Sequence, residues 1–564
     1  MKKKLFLSCV LVATGMLANA VPSTVGTANK ILNTSAIQER VQQFRQIVTV
    51  LQNQYVDTLD IESIIKSGFD AMLAKVDPYT EYYDADNIEQ LTMVSSGKYG
   101  GIGCSVTLRD SLVEVADVYF DKPARLAGLR HGDIILQIDD YDIPAEGITI
   151  NDVSNRLKGN PGTHVTLKVR RPWLPEGSDS ILFFDIERKN ISFDPVPYSV
   201  MFDDGVAFID VSTFDVNTGN DVRKIVTDLK SRNGKNLKGI IIDLRANGGG
   251  VMGSAVDLVS VFVDKGTKVV ETRYRGGASE AALTKKSPVD AAIPIVVIVN
   301  ENTASAAEVV AGAIQDLDRG VILGRRTYGK GLVQTSAPLG YNSVLKYTTG
   351  KYYLPSGRLI QARDYRDEDG KESMIPDSLT HEFRTAGGRV VRDGRGIMPD
   401  YVMKGKEVNP IVWQISNGSW IDDFSNRYRN THDTIGDIRQ LVDETLFDEF
   451  VSGLDPEKIS YGEYSKKGIG FIRSAVEYEG LQNDSTKAVI DQLEKLLEHD
   501  LKTELEANRG PISELLVYTL SERYFSPEVI EAGIIEQDED VLEARALILD
   551  TERYREYLAP KTKN

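Results

Sequence analysis

The stretch 293-IPIVVIVNENTASAAEVVAGA-313 holds a continuous apolar run, Ile295–Val299, then a short polar turn, then a run of small and apolar residues interrupted by Glu308. An uninterrupted apolar run of this length reads as a strand covered on both faces, and the following segment reads as a helix. The same alternation occurs just upstream. "VAFIDVSTF" reads as a strand, "NDVRKIVTDLKSRN" as an amphipathic helix, "LKGIIIDLR" as a buried strand and "SAVDLVSVFVD" as a helix. Residues 200–405 are therefore expected to form an α/β core with largely parallel pairing. At their end "SVLKYTTGKYYLPSGRLIQ" returns to β structure around a Pro-Ser-Gly turn.

Outside this core the character of the sequence changes. Residues 97–170 contain short alternating strands, glycine-rich turns and one short helix, and "SILFFDIERKNIS" continues in β. Residues 36–93 read as helices. "IQERVQQFRQIVTVLQNQYV" spaces its apolar positions by three and four, and "DIESIIKSGFDAMLAKVDPYTEYY" opens on an aspartate cap and ends before Pro78. Residues 406–564 are mostly helical and charged and show no chemistry, only packing or assembly.

The 564 residues allow several domains, and 41% hydrophobic content suits a soluble globular chain. With 66 basic and 83 acidic residues the formal charge is −17, which repels phosphate backbones and argues against nucleic acid as a partner. The first twenty residues stand apart. Lys2–Lys4 precede "LFLSCVLVATGMLA" and then "ANA", the pattern of a secretory signal peptide cut after Ala20. Cys9 then leaves with the signal, and Cys104 remains without an internal partner for a disulfide.

Two strand-to-helix turns carry candidate chemistry. In "DLRANGGGVMG", Gly248, Gly250 and Gly253 fit a dinucleotide fingerprint, with Glu271 near the expected ribose-binding acid. The mid-chain position, after a separate β module, and the export signal both argue against that use. Backbone N–H groups at such a turn equally well stabilise an oxyanion. The second turn carries Ser305. Ser305-Ala306-Ala307-Glu308 matches a capping box, so by itself the serine is either a helix cap or a nucleophile.

A nucleophilic serine needs a base. Of the five histidines, His131, His164, His381, His432 and His499, none has a persuasive position. A lysine can serve if its pKa falls by about three units, about 4 kcal/mol, a shift that burial can supply. In "GRRTYGKGLVQTSAPL", Lys330 lies between Gly329 and Gly331, and Gln334 follows on the same face. Read alone, Lys330 is either a surface loop lysine or that base.

Several separated stretches together resemble one family. "TASAAE" and "TYGKGLVQ" look like the carboxyl-terminal processing peptidases, or tail-specific proteases. "IIIDLRANGGG", "YYLPSGRLIQ" and "GRGIMPDYV" resemble their other core segments, and "GGIGCSV" with "KPARLAGLRHGDIILQID" resembles their PDZ domain. The match runs in order over roughly residues 40–405, with one departure at Gly248, where the family often has proline. The resemblance implies an α/β protease core of crotonase- or Clp-protease-like strand–helix units, an inserted β-rich PDZ domain, and helical N- and C-terminal regions. The expected boundaries are a signal peptide over 1–20, an N-terminal helical region over 21–95, the PDZ domain over 96–172, the protease core over 173–405 and a helical domain over 406–564.

It further implies a serine endopeptidase with a Ser/Lys dyad and no metal or cofactor. Ser305 is the expected nucleophile, Lys330 the general base and Gln334 its orienting partner, with the N–H groups of Gly249 and Ala306 as the oxyanion hole. The PDZ loop Tyr99, Gly100, Gly101, Ile102 and Gly103 would hold a substrate C-terminus while the peptide pairs with the strand from Cys104. The expected partners are proteins or peptides with free C-termini. An accessory activator and a homo-oligomer are left open. The setting is export, to the periplasm if the cell has an outer membrane. The alternative is a non-catalytic PDZ chaperone or scaffold on a protease-like fold.

Overall fold

The computed structural model describes residues 34–85, 88, 98–144, 147–174, 180–365, 373–405, 409–459, 463–497 and 500–560. Two compact units divide after Ala74. The first holds the helices Thr34–Gln54 and Ile61–Leu73. Asp60 caps the second as expected, its Oδ1 accepting the Ser63 N–H at 3.1 Å.

The second unit is built on a six-stranded sheet. Its order is Ser199–Met201, Val206–Asp210, Gly239–Asp243, Ile295–Val299, Val321–Gly324 and Tyr401–Val402. The first pair is antiparallel and all the others are parallel. One face, including Ile240, Ile242, Ile295, Val297 and Val299, packs under the helices Thr218–Asn233, Met252–Val259 and Ala306–Asp316. The other face presents Phe208, Ile241, Val296, Ile298 and Leu323 to Val541, Ala544, Leu547, Ile548 and Tyr554. Alternate residues thus enter two different cores, which is why "IVVIV" carries no polar position.

The helices Glu539–Leu549 and Thr551–Leu558, from the expected C-terminal helical region, seal this second face of the sheet. A strand with both faces apolar requires two covers, and the chain supplies the second one from its far end. Part of the C-terminal region packs around a core of its own, including Ile415, Phe424, Phe447, Phe450, Leu516 and Leu520.

A second, antiparallel sheet joins Glu81–Tyr83, Ser343–Tyr353, Lys268–Tyr274 and Ser279–Leu283, with Leu332–Gly340 on Ser343–Tyr353. The sequence places Glu81–Tyr83 in the N-terminal helical region. It forms a strand because "EYY" pairs with Val344–Lys346, and Glu81 meets Lys346 directly opposite in an ion pair.

The β module is a sheet ordered Cys104–Arg109, Leu112–Val118, Ile134–Ile138, His164–Arg170 and Ile181–Glu187. The edge strand Ile181–Glu187, which lies beyond the expected limit at residue 172, pairs with His164–Arg170. The core of the module holds Val113, Val115, Ile135, Val153, Val165 and Leu167. The helix Ile150–Leu157 opens on a reciprocal capping box between Thr149 and Asp152. Among the described residues the strand Cys104–Arg109 pairs on one side only, leaving a free edge.

Candidate active site

Parallel pairing aligns the carboxyl ends of Gly239–Asp243, Ile295–Val299 and Val321–Gly324. The turns that follow carry Gly249, Ser305 and Lys330, so all three emerge at one edge of the sheet, where open α/β sheets place their sites. The turns are laced together. Thr303 Oγ1 donates to the Leu244 carbonyl at 2.7 Å, the Ala304 N–H to Asn247 O at 2.9 Å, and the Tyr328 N–H to Thr303 O at 3.0 Å.

Ser305 has φ 56° and ψ −118°. An ordinary helix cap takes an extended conformation. A non-glycine residue held here is strained and turned sharply from strand to helix, as a nucleophile elbow is. The turn persists because its neighbours fix it. Gly249 is close enough that a Cβ on it would lie 2.8 Å from Ser305 Cβ and 2.9 Å from Ala306 N. Among the described residues the Ala306 N–H has no hydrogen-bond partner.

Glu308 was legible only as the far half of a capping box, and it does accept the Ser305 N–H at 2.9 Å. It does more than cap. The same Oε2 accepts the Lys330 N–H at 2.9 Å, while Oε1 accepts the Gly329 N–H at 2.7 Å and the Thr327 hydroxyl at 2.6 Å. One buried carboxylate thereby ties the serine turn to the lysine segment. Burial pushes its pKa up to about 7 against those four donors, which favour the charged form. Tyr352, fully buried, makes a second tie, its hydroxyl reaching the carbonyl oxygens of both Ser305 and Lys330.

Lys330 is half-buried, and its pKa is lowered first by burial and then by Lys346, against the pull of Glu81, Asp77 and Glu308. Its ammonium lies 4.1 Å from the centre of the Tyr79 ring. Two expected contacts are absent from this arrangement. Gln334 Nε2 donates to Thr348 Oγ1 at 3.2 Å across the antiparallel pair, so in this structure it does not orient the lysine. The Gly249 N–H donates to Asn247 Oδ1 at 2.8 Å, so it is not a free oxyanion donor as it stands. Asn247 is fixed in turn by its Nδ2, which donates to Val211 O at 2.6 Å.

No described histidine hydrogen-bonds Ser305. His131 donates from Nδ1 to Ala116 O, His164 meets Asp185, His381 meets Asp393 and His432 meets Thr431. In the β module the N–H groups of Ile102 and Gly103 have no hydrogen-bond partner among the described residues. They sit at the head of the free-edged strand. Tyr99, Gly100 and Gly101 instead pair with Lys189–Ile191 in a short ladder.

Sequence reasoning missed the roles of Glu308, Tyr352, Asn247 and Tyr79. Only Glu308 left a usable signal, as an ionisable residue inside a helix whose other positions are apolar or small over two turns.

Three family models match the chain: peptidase family S41 over residues 205–367, a PDZ domain over 114–171, and a probable PDZ-protease C-terminal helical domain over 411–548. A carboxy-terminal-processing protease of Bartonella bacilliformis is 33% identical over 374 residues, spanning 65% of this chain and 82% of that protein. The chain belongs to the carboxy-terminal processing peptidases. As such it is a serine-type peptidase with a PDZ domain. The peptidase is also 26% identical over 381 residues to the carboxy-terminal processing protease CtpA of Bacillus subtilis, covering 67% of this chain and 79% of that one. Among solved structures, the photosystem II D1 C-terminal processing protease aligns at 25% identity with a TM-score of 0.36, over 65% of the peptidase and 88% of that chain.

Proposed function

We propose that the peptidase is an exported endopeptidase with a Ser305/Lys330 dyad that reads the C-terminal tails of its protein substrates through the PDZ domain. The observation that carries this reading is the Glu308 carboxylate, which binds the Ser305 and Lys330 N–H groups with the same oxygen. In this reading the neutral Lys330 amine takes the Ser305 Oγ proton as Oγ attacks the scissile carbonyl. The Ala306 N–H stabilises the oxyanion, and Gly249 joins it when its N–H turns from Asn247. Lys330 then returns the proton to the leaving amine, and water releases the acyl group from Ser305 by the same route. Gln334 serves as the lysine's partner once it exchanges Thr348 for the amine.

Tail reading rests on the free edge of Cys104–Arg109 and the two unpaired N–H groups of Ile102 and Gly103 at its head. An added strand would pair along the edge, and its carboxylate would accept those N–H groups. Export rests on the basic and apolar start of the sequence, residues 1–20, which lie outside the described residues.

The test compares wild type with Ser305→Ala on an unfolded protein ending in a free apolar carboxylate. Cleavage by wild type alone is the expected result. Equal cleavage by both would remove Ser305 from the mechanism. A wild type that cuts only after a second protein is added would bring in an accessory activator.

A further inference from the structure

Lys330 faces a segment from outside the matched S41 region. Asp77–Tyr83 runs past the lysine and ends as the strand Glu81–Tyr83 on Ser343–Tyr353. Tyr79 is held in that segment at both ends. Its N–H donates to Asp77 Oδ1 at 2.9 Å, and the same oxygen accepts the Thr80 hydroxyl at 3.0 Å. Its own hydroxyl lies 3.1 Å from that of Tyr365 and donates to that of Tyr328 at 3.5 Å, and the Tyr79 and Tyr365 rings meet edge to face at 5.9 Å. The ring face so fixed carries the Lys330 ammonium at 4.1 Å.

We propose that Tyr79 is a positioning residue for Lys330: its ring face holds the lysine in the ammonium form and so sets the pH at which the lysine becomes a base. The proposal rests on the reading of Lys330 as the general base. An aromatic face attracts a cation through its quadrupole and has no comparable hold on a neutral amine. The ring therefore works against burial, which favours the amine.

The other groups facing Lys330 divide by sign. Lys346 on the Ser343–Tyr353 strand repels the ammonium, and it is itself paired with Glu81. Glu81 and Asp77 beside Tyr79, and Glu308 from the helix behind, favour it. The Tyr79 hydroxyl stays neutral, because burial and then its bonds to Tyr328 and Tyr365 raise its pKa far above the usual value. Arg363 acts at one remove, donating to the Tyr328 hydroxyl at 2.6 Å.

The test measures the protonation of Lys330 without relying on activity. Full-length protein carrying Ser305→Ala is labelled with trace acetic anhydride across a pH series, and acetylation of Lys330 is counted by mass spectrometry. Tyr79→Phe keeps the ring and is expected to keep the midpoint. Tyr79→Leu keeps apolar bulk but removes the quadrupole, and should lower the midpoint by about 0.5–1 pH unit. Pentafluorophenylalanine at position 79 keeps the ring shape, reverses its quadrupole and should lower the midpoint as well, which covers the case of a Leu variant that does not fold.

An unchanged midpoint with both leucine and the fluorinated ring overturns the proposal. So does a Tyr79→Phe shift as large as that of leucine, which would assign the effect to the hydroxyl network. In proteins retaining Ser305, the acid limb of kcat/KM should move with the labelling midpoint while KM stays constant. A labelling shift with no movement of that limb, or full activity in Lys330→Ala, would instead sink the general-base reading and leave the Tyr79 contact standing.

Discussion

Glu308 sets the most exacting condition at the level of single residues. Three of its four partners are backbone N–H groups, which can only donate, so both of its oxygens must accept. Glutamine at this position has one accepting oxygen and one NH2 group. Whichever way the amide turns, the NH2 faces an N–H donor, and a buried donor is left unpaired. Glu308→Gln is expected to cost about 1–3 kcal/mol of stability. Its larger effect falls on kcat, because the amide releases either the shared hold on Ser305 and Lys330 or the hold on Gly329. A displacement near 1 Å between reacting groups costs about 10²-fold. Steady-state kinetics should show kcat reduced about 10- to 100-fold with little change in KM, alongside a modest shift in the urea midpoint. An unchanged kcat would show that the carboxylate only stabilises the helix start.

Read locally, Ser305 stays a helix cap or a nucleophile and Lys330 a loop lysine or a base, and only the resemblance over several separated stretches singles them out. Glu308, Tyr352 and Tyr79 act across distances that no local period encodes. The partners that Gln334 and Gly249 take, Thr348 and Asn247, are of the same kind. Both residues stand where the resemblance led one to look, yet a side-chain rotation decides whether Gln334 meets Thr348 or the lysine. For Gly249 the choice lies between Asn247 and an oxyanion.

At the level of elements, the site is a consequence of three parallel strands ending together. The runs at Gly239–Asp243 and Ile295–Val299 read as buried strands, and their alternation with helices implied parallel pairing, while Val321–Gly324 did not stand out. What the runs do not reveal is how tightly their turns interlock. Gly249 has φ 101°, and a Cβ there would come within 2.8 Å of the Ala304 carbonyl oxygen and of Ser305 Cβ. These are backbone atoms and the Cβ of Ser305, so relief comes only by moving the Ser305 turn. Gly249→Ala should therefore lose more than about 10²-fold in kcat and about 1–3 kcal/mol in stability. Gly248→Ala is the matched control. A Cβ at 248 meets nothing within 4 Å, and that variant should retain activity. Equal loss in both would mean that the turn responds to backbone stiffness alone. Wild-type kcat in Gly249→Ala would show that the two turns are not mechanically joined.

For the whole molecule, the catalytic sheet depends on the end of the chain. Within the sheet order, Ile295 lies just ahead of the stretch in which its strand pairs with Val321–Gly324. Its N–H lies ahead of that ladder, and the Tyr554 hydroxyl meets both this N–H and the Ile295 carbonyl. The tyrosine hydroxyl accepts the Ile295 N–H at 3.0 Å and donates to the Ile295 carbonyl at 2.8 Å. One side chain from the last helix thus stands in for a neighbouring strand, in the same core that buries Val541, Ala544, Leu547 and Ile548. Helical periodicity in the tail was legible. Its attachment to a sheet more than 200 residues away was not, because an amphipathic helix does not specify which apolar face it covers. Tyr554→Phe leaves the ring in place and removes both hydrogen bonds, so it should destabilise the protein by about 1–3 kcal/mol. The loss should appear in the urea transition of the protease core, and hydrogen exchange at the Ile295 amide should accelerate in parallel. Active-site parameters measured well below the transition should stay near wild type, since Tyr554 lies at the start of the strand and Ser305 beyond its end. A variant as stable as wild type, with Ile295 still protected, would show that Tyr554 does not couple the C-terminal helices to the sheet.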